Sequence, residues 1–150
     1  MADENRILTR ENQGRIEVFD IARKRYVAYT QEEVVRQNVI HFLHFQLGYP
    51  LELMQVEGAI SLNGIPRRCD IVVYRKMQDS LSPAMIVECK KATVPINQKV
   101  IDQACRYNLV LHVPYLFLTN GTTNLCLHVD YQHQKITQIP LPTWQSLNQS

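Results

Sequence analysis

The chain has 150 residues, of which 45% are hydrophobic and 20% charged, and these values indicate a folded protein rather than a wholly disordered one. A formal net charge of +2 is too small to identify a nucleic-acid-binding protein by itself. The sequence has no apolar run long enough to cross a bilayer and no N-terminal signal-peptide core, so we expect a cytoplasmic protein that is not bound to a membrane. The length suits a single domain over residues 1–150, with a core at about 19–140 and flexible termini.

The first predicted elements are two short strands and a helix. Residues 1–13 are polar and are expected to be frayed, whereas 16–20 and 25–29 have the alternating or aromatic pattern of strands. A helix is predicted to begin at Thr30, which has capping-box spacing, and to end at Gly48. Apolar residues recur at helical spacing between these two positions.

The rest of the chain is predicted to contain further strands and one more helix. Residues 75–83 are interpreted as a polar loop, a second helix opens at Pro95, and the tail from Thr143 is polar. Asn63 and Gly64 form a hairpin signal. The predicted strands cover residues 54–62, 71–74, 84–89, 115–118, 125–129 and 135–139. This order predicts an α/β domain with a mixed central β-sheet flanked by helices.

Three of the four cysteines fall inside apolar segments, and none forms a CxxC pair. This pattern favours reduced and mostly buried thiols over a disulfide framework or a zinc site. The four cysteines are Cys69, Cys89, Cys105 and Cys126.

Charged residues interrupt or end two apolar strands, at Asp70 and at Glu88-Cys89-Lys90. Side chains alternate along a strand, so Glu88 and Lys90 should share one face and Cys89 should face the other. If Asp70 and Glu88 are neighbours across a hairpin, their carboxylates, a strand carbonyl and waters could bind Mg²⁺. Lys90 could then assist the attacking water or offset charge on a phosphate oxygen. The alternative is that these residues form no functional site. Glu88 and Lys90 would then be a surface ion pair, and Asp70 would be a turn residue.

Basic residues are concentrated around these positions. Residues 65–107 contain eight Lys or Arg against four Asp or Glu, whereas residues 1–64 contain seven against nine. Arg68 and Lys91 lie beside the candidate site, where they could contact phosphates, although ordinary surface charge explains them equally well. The distribution suits a polyanionic partner, and ordinary scatter of surface charge is the alternative explanation.

Several motifs together resemble a known nuclease superfamily. Asp70 and Glu88-Cys89-Lys90 resemble the D…ExK signature of PD-(D/E)xK nucleases, although Cys69 stands where a proline is usual. Residues 29–37 are similar to the helix-one glutamate motif of that superfamily, and 103–107 to its QxxxY motif. With residues 118–121, these segments are most similar to the N-terminal nuclease domain of type I restriction enzyme R subunits, over about 19–130.

The resemblance implies a restriction-endonuclease-like core and a metal-dependent DNA endonuclease that hydrolyses phosphodiester bonds. Mg²⁺ would be the cofactor, with Mn²⁺ as a substitute. Asp70, Glu88 and the backbone carbonyl of Cys89 would bind the metal, and Lys90 would be the catalytic lysine. Glu33 would be the supporting carboxylate of helix one, with Glu32 as the alternative.

The resemblance also implies DNA contacts and partners. Gln103 and Tyr107 are one helical turn apart, so both could face the site or the DNA backbone. Arg68 and Lys91 would support DNA binding. The partners would be DNA and a helicase, translocase or other restriction-system subunit, and an oligomer is compatible with this interpretation. The alternative is a nuclease-fold DNA-binding or assembly module with weak or lost activity; an RNA or repair-intermediate substrate is a third possibility.

Overall fold

The structure is a computed structural model that describes residues 6–62 and 64–149. Its helices are α1 (Gln31–His41), α2 (Gln98–Leu111) and α3 (Trp144–Gln149), and a π-helical turn at Phe42–Gln46 continues α1. Its strands are β1 (Thr9–Asn12), β2 (Arg15–Asp20), β3 (Arg25–Ala28), β4 (Met54–Val56), β5 (Ala59–Leu62), β6 (Ile65–Arg68), β7 (Ile71–Met77), β8 (Ser80–Cys89), β9 (Tyr115–Thr119), β10 (Asn124–Asp130) and β11 (Lys135–Ile139). No helix in residues 6–62 and 64–149 has both the length and the apolar character that a membrane span requires.

A six-stranded sheet in the order β11-β10-β9-β8-β7-β4 forms the centre of the fold. The β8–β9 pair is parallel and the other pairs are antiparallel. A parallel pair requires a crossover connection, and here the connection contains α2. The predicted α/β fold with a mixed central sheet and flanking helices is therefore confirmed.

The central sheet is covered on both faces. Val87 of β8 belongs to the core cluster that contains Ile40 of α1, which we call the α1-side cluster. The adjacent Ile86 belongs to the cluster that contains Ala104 of α2, the α2-side cluster. Because successive strand side chains point to opposite faces, β8 needs apolar residues at consecutive positions to fill both clusters. This double burial explains the uninterrupted apolar run that precedes Glu88.

The predicted limits of the first helix agree with its caps. Thr30 Oγ1 accepts a hydrogen bond from the backbone N–H of Glu33 over 3.0 Å, which satisfies an otherwise unpaired helix donor. The π-helical turn carries the chain to Leu47, and Gly48 follows with a φ of +81°. A residue with a side chain is strained at this φ, so glycine suits the end of the helix.

Two predictions for the strands that flank the site are wrong. Residues 54–62 do not form one strand, because Glu57 adopts a φ of 54° and separates β4 from β5. β4 pairs with β7, whereas β5 forms its own hairpin with β6; Asn63 lies outside the described residues. Residues 75–83 are not a loop, since β7 and β8 continue as a paired hairpin around a turn at Gln78. The polar composition of this hairpin reflects its exposure beyond the core.

Predictions for residues 1–13, for the start of the second helix and for the segment after Thr143 also differ from the structure. Within residues 1–13, the segment Thr9–Asn12 is β1, paired with β2 rather than frayed. Helix α2 begins after Asn97, whose side chain accepts a hydrogen bond from Val100 N–H, and not at Pro95. The segment after Thr143 contains α3, which the sequence analysis did not predict.

Leu147 of α3 is completely buried in the α1-side cluster, so its truncation should destabilise the fold. We expect Leu147→Ala to lower the free energy of unfolding by about 2–5 kcal/mol, because transfer and cavity costs add. Asn148→Ala, at an exposed neighbouring position, should change it by less than about 0.5 kcal/mol. Chemical denaturation followed by circular dichroism measures both, and equal effects would show that α3 contributes no core contact.

Candidate active site

Asp70 and Glu88 lie at the same end of the β7–β8 hairpin. The last registered pair at this end joins Ile71 to Val87, so Asp70 precedes it on one strand and Glu88 follows it on the other. The backbone N–H of Cys89 donates a hydrogen bond of 2.7 Å to Asp70 Oδ2. The Asp70 carboxylate is therefore fixed against the backbone of the Glu88-Cys89-Lys90 segment.

Strand alternation places Glu88 and Cys89 on opposite faces of the sheet. Cys89 is buried in the α1-side cluster, whereas Glu88 is registered with Leu118 of the α2-side cluster and is half-buried. The N–H of Lys90 donates to the carbonyl of Thr119 over 2.8 Å, which extends the ladder with β9 by one residue. This extension directs the half-buried Lys90 side chain to the same face as Glu88.

Burial also determines the chemistry of the Cys89 thiol. Loss of solvent, together with the nearby Asp70 carboxylate, raises the pKa of Cys89 well above its usual value. The side chain therefore stays a neutral thiol that packs in the core. All four cysteines are free, as the sequence analysis expects.

Arg36 of α1 joins three carboxylates, which we call the carboxylate cluster: Glu33, Glu57 and Asp70. Its Nη2 lies 3.3 Å from Asp70 Oδ1, and its Nη1 lies 3.1 Å from Glu33 Oε1 and 3.5 Å from Glu57 Oε1. Burial of Arg36 opposes its charge, but the three carboxylates outweigh burial and raise the pKa of the guanidinium. Arg36 is therefore a buried cation at the candidate site.

Glu33 enters the cluster and Glu32 does not. Glu33 is buried, and besides Arg36 its carboxylate accepts hydrogen bonds from Arg23 over 3.2 Å and from Gln37 over 3.1 Å. Glu32 is exposed on the adjacent helix position. Of the two alternatives left by the sequence, the structure brings only Glu33 into contact with the residues around Asp70.

Arg23 extends the charge network from Glu33 and Glu57 to Asp20. It pairs with the fully buried Asp20, which also accepts hydrogen bonds from the backbone N–H groups of Ala22 and Arg23. Arg23 Nη1 lies 3.6 Å from Glu57 Oε2. The predicted DNA-binding residue Arg68 reaches the same Glu57 oxygen over 3.1 Å, but its side chain is 74% exposed. Arg68 is therefore accessible to a large ligand.

A surface cleft of about 640 Å³ opens beside the carboxylate cluster. Lys91 lines this cleft, and a turn stabilises the segment that follows, because Val94 N–H donates to the Lys91 carbonyl over 2.9 Å. The side chain of Asn120 donates to the Val94 carbonyl over 2.9 Å, which ties this turn to the end of β9. The cleft is lined by Arg23, Val27, Ala28, Thr30, Gln31, Glu32, Glu33, Arg36, Glu57 and Lys91.

The two predicted residues of α2 are less closely connected to the site. Gln103 is exposed, next to the buried Ala104, and makes no hydrogen bond to the carboxylate cluster within the part of the chain that the structure describes. Tyr107 belongs to α2, but its side chain lies outside the described part. Roles for both residues remain predictions.

Oxygen donors dominate the candidate site, which fits Mg²⁺ or Mn²⁺ better than a metal that prefers thiolate or imidazole ligands. The Arg36 guanidinium already lies 3.3 Å from Asp70, so a divalent cation at this carboxylate would have to share the position with it or replace it. In residues 6–62 and 64–149, no three Asp, Glu, His or Cys side chains form an all-protein metal cage. Mg²⁺ usually binds through one or two carboxylates and keeps several waters, so the donor set fits an open site of that kind.

Sequence analysis missed Arg36 and Glu57, although one signal pointed to Arg36. Arg36 follows Glu33 by three residues, a spacing that places two side chains on one helix face. It also stands among buried positions of α1, where an arginine requires partners. No comparable signal marks Glu57, because its left-handed backbone and its partners depend on the fold.

A family model described as "Type I restriction enzyme R protein N terminus (HSDR_N)" matches residues 31–141, which include α1, Asp70 and Glu88-Cys89-Lys90. The chain belongs to this family. Membership in the R-protein N-terminal family confirms the relationship that the motifs suggested. No curated protein matches the sequence significantly.

Two solved structures resemble this member of the R-protein N-terminal family. One is a fragment of a candidate HsdR subunit of a type I restriction enzyme from Vibrio vulnificus YJ016, with a TM-score of 0.52 and 19% identity over 81% of this chain and 25% of that chain. The other is a candidate nuclease belonging to DUF820 from Anabaena variabilis ATCC 29413, with a TM-score of 0.51 and 11% identity over 92% of this chain and 83% of that chain. At these identities the likeness shows the fold alone. The chain spans about a quarter of the HsdR chain that it matches.

Proposed function

We propose that this chain is a metal-dependent nuclease domain that hydrolyses phosphodiester bonds of DNA. The hydrogen bond from Cys89 N–H to Asp70 Oδ2 carries the proposal, because it joins the two halves of the D…ExK motif at the buried end of the β7–β8 hairpin. Membership in the R-protein N-terminal family supports the same reaction class. The R proteins of type I restriction enzymes suggest DNA as the substrate and other restriction-system subunits as partners.

Each residue of the motif has a distinct role in the proposed reaction. Asp70, Glu88 and the backbone carbonyl of Cys89 would hold Mg²⁺, or Mn²⁺ in its place. When bound, the metal would supply Lewis-acid stabilisation of the charge that develops on the phosphate. Lys90 would orient the attacking water and offset negative charge on a phosphate oxygen through its ammonium group.

Basic residues near the site would hold the DNA backbone. Arg68 is largely exposed, and Lys91 lines the cleft beside the carboxylate cluster. Contacts from such side chains to phosphates fix a protein on DNA without reading its sequence. The proposed interface therefore recognises the backbone.

The second candidate is a nuclease-fold DNA-binding or assembly module with weak or lost activity. The contact of 3.3 Å between Arg36 and Asp70 favours this alternative, because a guanidinium already compensates the carboxylate that would bind metal. Such a module would bind DNA in a salt-sensitive manner and would not cleave it.

Cleavage of supercoiled and linear DNA, with Mg²⁺, Mn²⁺ or a chelator, distinguishes the two functions. We expect wild-type cleavage to require the divalent cation and Lys90→Ala to reduce the rate by about a hundredfold, because a positioned charge is lost. Lys76→Ala is the matched control, since Lys76 is exposed on the same hairpin near its turn. Equal cleavage by all three proteins would refute the proposed role of Lys90, and salt-sensitive binding without cleavage would favour the second candidate.

A further inference from the structure

Arg36 compensates the carboxylate cluster from a position that water hardly reaches. Its side chain is 7% exposed, and its guanidinium contacts Glu33, Glu57 and Asp70 through two nitrogens. Carboxylates that are partly withdrawn from water destabilise one another unless a cation offsets their repulsion. Arg36 therefore stabilises the cluster, and any other cation at Asp70 must share this position with the guanidinium or replace it.

The contacts on the two Asp70 oxygens are unequal. Cys89 N–H donates to Oδ2 over 2.7 Å, whereas Arg36 Nη2 lies 3.3 Å from Oδ1. A strong N–H···O bond between charged groups is typically about 2.7–2.9 Å long, so the Arg36 contact is comparatively weak. Asp70 is thus held mainly by the backbone of the Glu88-Cys89-Lys90 segment, and it would keep its position if the contact with Arg36 were lost.

Arg36 has two further ion-pair partners besides Asp70. Glu33 Oε1 lies 3.1 Å and Glu57 Oε1 3.5 Å from Nη1, which is not the nitrogen that contacts Asp70. Loss of the contact with Asp70 would therefore leave Arg36 paired with two carboxylates.

We propose that Arg36 is an internal counter-ion that occupies the cation position at Asp70 and gives up its contact with Asp70 Oδ1 when a divalent cation binds. The inference rests on the proposed function, because both place that cation at Asp70. Arg36 acts through Asp70 and is a positioning residue. By holding positive charge near the site, it lowers cation affinity and keeps the carboxylate cluster compensated before the cation arrives.

Nuclear magnetic resonance of the wild-type protein tests the exchange directly. The Arg36 side-chain N–H resonances would be followed during titration with Mg²⁺, without DNA, and the binding isotherm measured separately by calorimetry. We expect the Arg36 resonances to shift with the midpoint of the isotherm, whereas those of Arg10, which pairs with Glu17 on β2, should not move. Binding of Mg²⁺ with unchanged Arg36 resonances would overturn the inference.

Variants test how Arg36 changes affinity. We expect Arg36→Gln to bind Mn²⁺ about tenfold more tightly than the wild type, since one nearby positive charge is removed, and Arg36→Lys to stay within about threefold. Arg23→Gln is the matched control, because Arg23 contacts Glu33 and Glu57 but makes no contact with Asp70 among the described residues. Its effect should be smaller, and an equal gain in affinity, or unchanged affinity in a folded Arg36→Gln protein, would overturn the inference.

The outcomes separate this inference from the proposed function. If the wild type binds neither Mg²⁺ nor Mn²⁺, both are overturned. If the cation binds and the Arg36 resonances shift but DNA is not cleaved, the inference stands and the nuclease function fails. If Arg36→Gln does not fold, the wild-type resonances still decide the inference.

Discussion

Asp70→Asn is expected to slow DNA cleavage by about a hundred- to a thousandfold, the largest functional effect that the structure suggests. Asparagine keeps the shape of the side chain, and its carbonyl oxygen can still accept the hydrogen bond from Cys89 N–H. It lacks the negative charge that a divalent cation and Arg36 both require. The expected loss is therefore one of charge rather than of structure.

The measurement is the initial rate of plasmid nicking with Mg²⁺, accompanied by the calorimetric affinity for Mn²⁺. Asp79→Asn is the matched control, because Asp79 is exposed in the turn at the opposite end of the β7–β8 hairpin. The control should cleave DNA and bind Mn²⁺ as the wild type does. A rate for Asp70→Asn within about threefold of the wild type would exclude Asp70 from the site, since loss of a charge-stabilising group costs far more.

Glu33→Ala is expected to lower the free energy of unfolding by about 3–5 kcal/mol, because it leaves two buried or half-buried guanidinium groups without this partner. The Glu33 carboxylate pairs with Arg36 over 3.1 Å and with Arg23 over 3.2 Å, and it also accepts a hydrogen bond from Gln37. Its side chain is only 10% exposed, so water cannot replace these contacts fully. The predicted destabilisation is therefore that of a broken buried ion pair.

Glu32→Ala provides a control at the neighbouring helix position. Glu32 is exposed, so its removal should change stability by less than about 0.5 kcal/mol. Guanidinium denaturation gives both values, provided that the dependence on denaturant is the same for each protein. Equal losses for the two variants would contradict the placement of Glu33 in the carboxylate cluster.

The arrangement at Asp70 explains how one site can keep several carboxylates together. Three carboxylates are contributed by α1, by the break after β4 and by the residue before β7, and Arg36 compensates all of them. Removing that compensation without a replacement is costly for carboxylates that are largely withdrawn from water. In the proposed exchange, the same residues would serve stability before the cation binds and chemistry after it.

Elements that depend on local interactions could be predicted from the amino-acid sequence. The cap at Thr30, the glycine at the end of the first helix and the apolar run before Glu88 all reflect hydrogen bonding and burial that adjacent residues encode. Motif order was equally informative, since the sequence positions of Asp70 and Glu88-Cys89-Lys90 are enough to indicate the family. The local sequence does not determine which side of the first helix faces the site, so Glu32 and Glu33 were both candidates for the helix-one carboxylate.

Contacts between residues that are distant in the sequence could not be predicted in this way. Arg36 and Asp70 are 34 positions apart, and their contact exists because α1 packs beside the start of β7. Glu57 joins them through a left-handed backbone turn that interrupts an otherwise strand-like segment. Leu147 is buried although its neighbours are polar, because a core is filled in three dimensions and not along the chain. Local patterns therefore predicted the framework and the motif, while long-range packing determined the charges that surround Asp70.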